Sequence, residues 1–222
     1  KPANPRSCPA MRQSFSACLL LWCACSSAAA PEPPHAPAWQ RLDRQVTELY
    51  SQQQYRRAVP PARQALRQAQ RHPADHAALA RSLNNLGLLY KLQGQPAKAE
   101  PLFRRALPLA ERAFGSDHPA VAACLNNLAT LIHAQGRHAE AEPLYLLALA
   151  IREQAFGPHH PDVALSLSNL GVLYFAIGQP QRAEPLLLRA LAIRQQALPA
   201  GHPDIAASLL NLAALYRATG RD

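Results

Sequence analysis

Apolar residues recur along one helical stripe at i, i+4, i+7 and i+11, as in Leu79, Leu83, Leu86 and Tyr90. The whole arrangement returns every 42 residues. The stretch 83–107, LNNLGLLYKLQGQPAKAEPLFRRAL, reappears at 125–149 and again at 167–191. Aligned this way, the columns read Leu86, Leu128, Leu170, Leu212; Asn85, Asn127, Asn169, Asn211; Gly94, Gly136, Gly178; and Ala99, Ala141, Ala183. Residues 118–159 laid on 160–201 agree at 22 of 42 positions. A fixed period of this length marks a stacked-repeat chain, in which each unit buries its apolar face only against its neighbours.

The pattern predicts that each unit is a helical hairpin. The first helix ends at Gly94, Gly136 and Gly178, where a left-handed residue costs little only if it is glycine. The second helix is predicted from about Pro96 to Phe114, with Leu102, Phe103, Ala106 and Leu107 facing inward. His118-Pro119, His160-Pro161 and His202-Pro203 restart the first helix, with proline in the first turn where its missing N–H is harmless. Pro101, Pro143 and Pro185 come later in the second helix and are expected to bend its opening turn.

Full repeats are thus expected at residues 76–117, 118–159 and 160–201, with the first helix of another at 202–222. That last helix carries Ile205, Leu209, Leu212, Leu215 and Tyr216 without the second helix that covers them elsewhere. The protein is therefore expected to continue past Asp222, and this chain to self-associate. Residues 39–75 read as a degenerate unit: laid on the next repeat at an offset of 41, Ala58 meets Ala99, Pro60 meets Pro101 and Leu66 meets Leu107. The adjacent Pro60 and Pro61 are expected to distort its second helix.

Ahead of the repeats, Met11 is the only methionine, and residues 1–10 read as an upstream extension. Residues 11–30 have the charge at Arg12, the apolar run 17–24 and the small residues 26–30 of a secretory signal peptide. The run is far short of the ~20 residues that span a bilayer. A Pro-rich linker follows at 31–38. Cys25, preceded by Ala24 and followed by Ser26 and Ser27, resembles the lipid-attachment cysteine of bacterial lipoproteins, although Trp22 departs from the usual leucine. Cleavage at Ala28-Ala29-Ala30 competes with it. The expected location is the periplasm or cell envelope, reverting to the cytoplasm if the signal reading fails, and membrane association follows only from lipidation. Four of the five cysteines lie at or before Cys25, so they form no disulfide framework.

Net charge is +9, with 20 Arg against three Lys, and seven Arg fall within residues 41–71. These arginines are scattered around helices, with no nucleic-acid motif or aromatic stacking platform among them, so no nucleic-acid partner is expected. No GxxxxGK[ST], HExxH or GxSxG pattern occurs, and neither an enzyme nor a cofactor is expected. His76, His118, His160 and His202 also recur with the period. Stacked helices lie ~8–10 Å apart, too far to share one zinc, so these histidines are expected to cap loops.

Leu86-Gly87, Tyr90, Gly94, Ala99, Phe103 and Ala106 resemble the signature positions of tetratricopeptide repeats. The period, with AEPLF, AEPLY and AEPLL, is similar to the kinesin-light-chain type. Ile132 replaces the Tyr, and Ala129 and Ala213 replace the Gly. The resemblance covers residues 77–222 and, more weakly, the unit before them. It implies an all-α, right-handed superhelical solenoid of antiparallel helix pairs, whose first helices line a concave groove that holds a peptide segment of a partner.

The asparagine column needs an explanation, because Asn is a poorer helix former than Ala yet recurs mid-helix at Asn85, Asn127, Asn169 and Asn211. Its amides bond a neighbouring repeat or, as the resemblance implies, meet the backbone of a ligand, and the two readings are not exclusive. Columns that change between repeats are released from packing demands and complete the candidate groove. They are Arg81, Ala123, Leu165, Ala207; Asn84, Asn126, Ser168, Leu210; Leu88, Thr130, Val172, Ala214; and Lys91, His133, Phe175, Arg217. The early positives Arg81 and Lys91, set against the later Leu165, Val172 and Phe175, predict a ligand with acidic residues at one end and an apolar anchor toward the other. The function expected is a noncatalytic scaffold that binds a protein or peptide. The alternative is the regulatory or sensor part of a larger enzyme or signalling protein.

Overall fold

The computed structural model describes residues 38–221, so the signal, lipid-attachment and upstream-extension expectations lie outside the described residues. Among these residues there are nine helices and no strand: α1 Ala38–Ser51, α2 Tyr55–Gln70, α3 His76–Leu92, α4 Pro96–Phe114, α5 Pro119–Ala134, α6 His138–Phe156, α7 Pro161–Ala176, α8 Pro180–Ala197 and α9 Pro203–Thr219. They fall into two compact units, with the division at Leu131 and Ile132 inside α5.

In the first unit, α1 packs on α2, α2 on α3 and α3 on α4. The predicted inward positions of α4 divide: Phe103 and Ala106 are fully buried, whereas Leu102 and Leu107 are only half-buried. Phe103 approaches so closely that a Cβ on Gly87 would meet its Cε1 at 2.8 Å, which explains a glycine in the middle of α3. The first helix is buried more completely than a single stripe requires, since every residue from Ser82 to Tyr90 is covered. An inner helix of a stacked array has neighbours on several sides, so its apolar positions spread beyond one face.

In the second unit, α6 packs on α7, α7 on α8 and α8 on α9. Val163, Ala164, Leu167, Ala190 and Ile193 form one buried cluster, closed by Leu149 and Leu186. Val172, Leu187 and Leu212 form another, closed by Leu191 and Tyr216.

The interior prolines do not break their helices. α2 runs through Pro60 and Pro61, α4 through Pro101 and Pro108, α6 through Pro143 and α8 through Pro185. A mid-helix proline normally costs ~3 kcal/mol, partly because it deprives the carbonyl four residues back of its donor. Here the residues four back from Pro101, Pro143 and Pro185 are Ala97, Ala139 and Gln181, all exposed. These positions leave the deprived carbonyls on the exposed side of the helix, where solvent can supply a donor.

The periodic histidines behave as caps with one exception. His118 Nδ1 accepts from the Ala120 N–H at 3.1 Å, and His160 and His202 accept from Asp162 and Asp204 N–H at 3.2 Å. His118 and His160 also stack on Phe114 and Phe156. His76 does not cap: it is the first helical residue of α3, and Asp75 accepts from the Ala78 N–H at 2.9 Å instead. Ala77 stands there in place of the proline that follows the other three, and the stronger carboxylate cap takes the site one residue earlier.

Candidate functional site

The asparagine column lies inside the stack of first helices. Asn85 Nδ2 donates to Asp43 Oδ1 on α1 at 2.7 Å, and Asn127 Nδ2 on α5 donates to Asn84 Oδ1 on α3 at 2.9 Å. Asp43, at the offset of 41 that aligns the degenerate unit, stands where Asn84 stands in the next repeat. Each bond therefore joins the same two positions of consecutive repeats, which offsets the poor helix propensity of asparagine for Asn85 and Asn127. Asn127 keeps a second polar atom in hand: its Oδ1 is buried and has no hydrogen-bond partner among the described residues.

Around this ladder, Arg81 lies 3.6 Å from the Asp43 carboxylate, with its guanidinium 5.6 Å from the centroid of the Trp39 ring. Lys91 is half-buried overall, but its Nζ is covered, and burial pushes its pKa down to about 8. Leu88, Asn84, Asn126 and Thr130 are buried, and Ala123 is half-buried.

In the second unit Asn169, Asn211, Leu165, Val172 and Ser168 are buried, Phe175, Ala207 and Ala214 half-buried, and Leu210 and Arg217 exposed. The Ser168 hydroxyl, like Asn127 Oδ1, has no partner among the described residues. His133, in the last turn of α5, sets its Nδ1 3.0 Å from His138 Nδ1. Burial first, and the neighbouring His138 second, push the His133 pKa down to about 4.

Sequence reasoning missed a buried polar clamp that repeats with the period. Arg152 Nη1 donates to Ser166 Oγ at 2.7 Å and to the Asp162 carbonyl at 3.3 Å; Arg194 does the same to Ser208 at 2.6 Å and Asp204 at 3.3 Å. Both arginines are at most 5% exposed. One repeat earlier the same two columns hold Ala110 and Cys124, both fully buried. A second periodic group ties Tyr174 Oη to Glu142 at 2.8 Å with the Arg182 guanidinium 3.7 Å from the ring centroid. Arg221 lies over Tyr216 and pairs with Glu184 at 2.9 Å in the corresponding place. The signal was present, because Arg152 with Arg194 and Ser166 with Ser208 are 42 apart, but an arginine read from sequence alone defaults to the surface.

Among the described residues no group of three or more His, Cys, Asp or Glu side chains is placed to hold a metal ion.

The tetratricopeptide-repeat family model matches residues 48–112, 79–153 and 125–196, and the chain belongs to that family. Among solved structures it is similar to BtubC (BKLC) from P. vanneervenii, with 30% identity and a TM-score of 0.71 over 82% of this chain and 73% of that one. A Podosopora anserina protein with nearly identical TPR-like repeats of kinesin-light-chain description matches at 27% identity and a TM-score of 0.68, over 85% and 90%. The apo form of RapI, at 17% identity and a TM-score of 0.68, shares the fold over 82% and 64%. The search of curated proteins finds no match. The kinesin-light-chain-like, all-α repeat class is thereby established, and with it the general role of a protein-interaction scaffold, a class that is typically noncatalytic.

Proposed function

We propose that this chain is an exported, noncatalytic scaffold whose first helices hold an extended segment of a partner protein. What supports the reading is the family, whose repeats serve in general as protein-interaction scaffolds, together with first-helix side chains that stay partly open, Arg81 in the first unit and His133 and Phe175 in the second. Asn127 itself is 0% exposed, and its amide nitrogen serves the stack through Asn84. Of the candidate residues, Arg81 and Lys91 lie in the first unit and His133 and Phe175 in the second. The basic residues favour acidic side chains in the ligand, and Phe175 an apolar anchor.

A displayed peptide library selected on the full-length protein supplies the ligand for the test. Phe175→Ala is expected to weaken the selected peptide by removing its apolar anchor, with helicity retained. Arg81→Glu with Lys91→Glu is expected to weaken it most at low salt. Affinity untouched by all three changes in folded protein overturns the groove assignment. For export, residues 11–37 fused to a reporter that is active only outside the cytoplasm should give activity, and an inactive fusion overturns that part. Fatty-acid labelling that depends on Cys25 separates a lipoprotein from a released protein.

A further inference from the structure

We propose that His133 and His138 together form a two-imidazole site for a divalent tetragonal ion, copper(II) foremost, with solvent completing the coordination. The pair spans the turn between α5 and α6. That turn is held by backbone bonds from Gly136 N–H to the His133 carbonyl at 2.9 Å and from Arg137 N–H to the Ile132 carbonyl at 3.2 Å. Gly136 makes the reversal at φ +81. Both rings therefore sit on a braced hairpin and need no large rearrangement to act together.

The separation fits cis ligation of one ion. Two Nδ1 atoms 3.0 Å apart, each ~2.0–2.1 Å from one metal, subtend about a right angle, the cis arrangement of a square or tetragonal centre. A tetrahedral zinc would spread them to about 3.3 Å at the same bond length. Ring orientation agrees: with both nitrogens aimed at a shared ion the centroids would lie about 4.7 Å apart, whereas two rings meeting head-on in a simple hydrogen bond would lie about 5.3 Å apart. The observed separation is 4.9 Å, with the planes at 50°. Copper(II) stands highest in affinity among the divalent first-row ions for imidazole nitrogen.

The surroundings permit a cation. Arg137, the nearest arginine in sequence, is engaged by Glu140 in an ion pair and by Gln135 at 2.7 Å, so its charge is answered locally. Binding needs both rings neutral with their protons on Nε2. The single proton held between the two Nδ1 atoms moves to the far nitrogen of its own ring, and no net proton is lost. Packing does not demand the pair, because the same two positions hold Lys91 with Pro96 and Phe175 with Pro180 in the adjacent repeats.

The test uses the tag-free full-length protein, its accessible thiols alkylated so that they neither bind nor reduce the ion, titrated with copper(II) by calorimetry and followed by electron paramagnetic resonance. One copper per chain is expected, with hyperfine coupling to two nitrogens. His133→Gln and His138→Gln are each expected to weaken that site at least tenfold and to remove coupling to one nitrogen, while helicity and the affinity of the His159→Gln control stay at the unsubstituted value. Copper binding and nitrogen coupling that persist in both variants overturn the proposal, as does zinc binding more tightly than copper at this pair.

Discussion

Gln53 occupies, with φ 58, the turn position that Gly94 occupies with φ 70 one repeat later. The two are 41 residues apart, the offset that aligns the degenerate unit with its neighbour. A residue with a Cβ in the left-handed region pays roughly 1–2 kcal/mol that glycine does not. Gln53→Gly is therefore expected to stabilise the first unit by about 0.5–1 kcal/mol, less than the full strain because glycine also loosens the unfolded chain. Urea denaturation followed by circular dichroism reads the change, and a loss of stability would show that the Gln53 side chain supplies more than its backbone costs.

The buried Arg152 clamp predicts a coupled pair of effects. Arg152→Ala is expected to destabilise by roughly 2–3 kcal/mol, since a charge-assisted hydrogen bond is lost and the Ser166 hydroxyl loses its donor. Adding Ser166→Cys recreates the Ala110 and Cys124 combination and should recover part of that loss. A double-mutant cycle in denaturant measures the coupling, and simple additivity of the two changes would mean that the clamp is energetically silent.

His133 makes stability depend on acid. Its folded-state pKa, pushed from 6.5 down to about 4 by burial and then by His138, lies below the unfolded value. Between those two values the unfolded chain binds more protons, so the contribution is present above pH 6.5 and lost as pH falls toward 4. The full shift corresponds to about 3 kcal/mol, and partial exposure reduces this to about 1–2 kcal/mol. The difference between wild type and His133→Gln, tracked from pH 7 to 4, isolates this ring from the carboxylates that titrate in the same range. Parallel curves would remove His133 as the cause.

Cys124 is a fully buried free thiol whose pKa is pushed up to about 12, first by burial and then by Glu111. From its ordinary value of 9.0 that shift lowers the thiolate population on the order of a thousandfold near neutrality. Iodoacetamide at pH 8 is expected to leave the peptide carrying Cys124 unmodified in native protein and to label it in urea. Rapid native labelling, read by mass spectrometry, would mean that α5 opens readily.

Much of this fold was legible because its punctuation is local. Gly94, Gly136 and Gly178 end first helices with positive φ as expected, and α4 spans the predicted Pro96–Phe114. Three of four periodic histidines proved to be caps, and the fourth failed where Ala77 replaces proline and Asp75 offers a better acceptor. The interior prolines stay within α2, α4, α6 and α8, and the residues four back from Pro101, Pro143 and Pro185 are exposed. In the candidate site the asparagine period was visible, but its partners were not: Asn127 bonds Asn84, in a different column, 43 residues back. Arg152 was hidden by the opposite prejudice, a charged residue that lies in the interior.

The joints between repeats are of two kinds, Ala110–Cys124 at the first and Arg–Ser at the two that follow. Arg152 belongs to one 42-residue block and Ser166 to the next, so each block carries half of two different joints. Excising residues 161–202 would splice Arg152 onto Ser208 and restore a like joint, whereas excising 119–160 would splice Ala110 onto Ser166 and strand a hydroxyl. Blocks that share a period are thus not interchangeable: gene duplication or deletion can lengthen or shorten the array freely only where the two half-joints are of one kind.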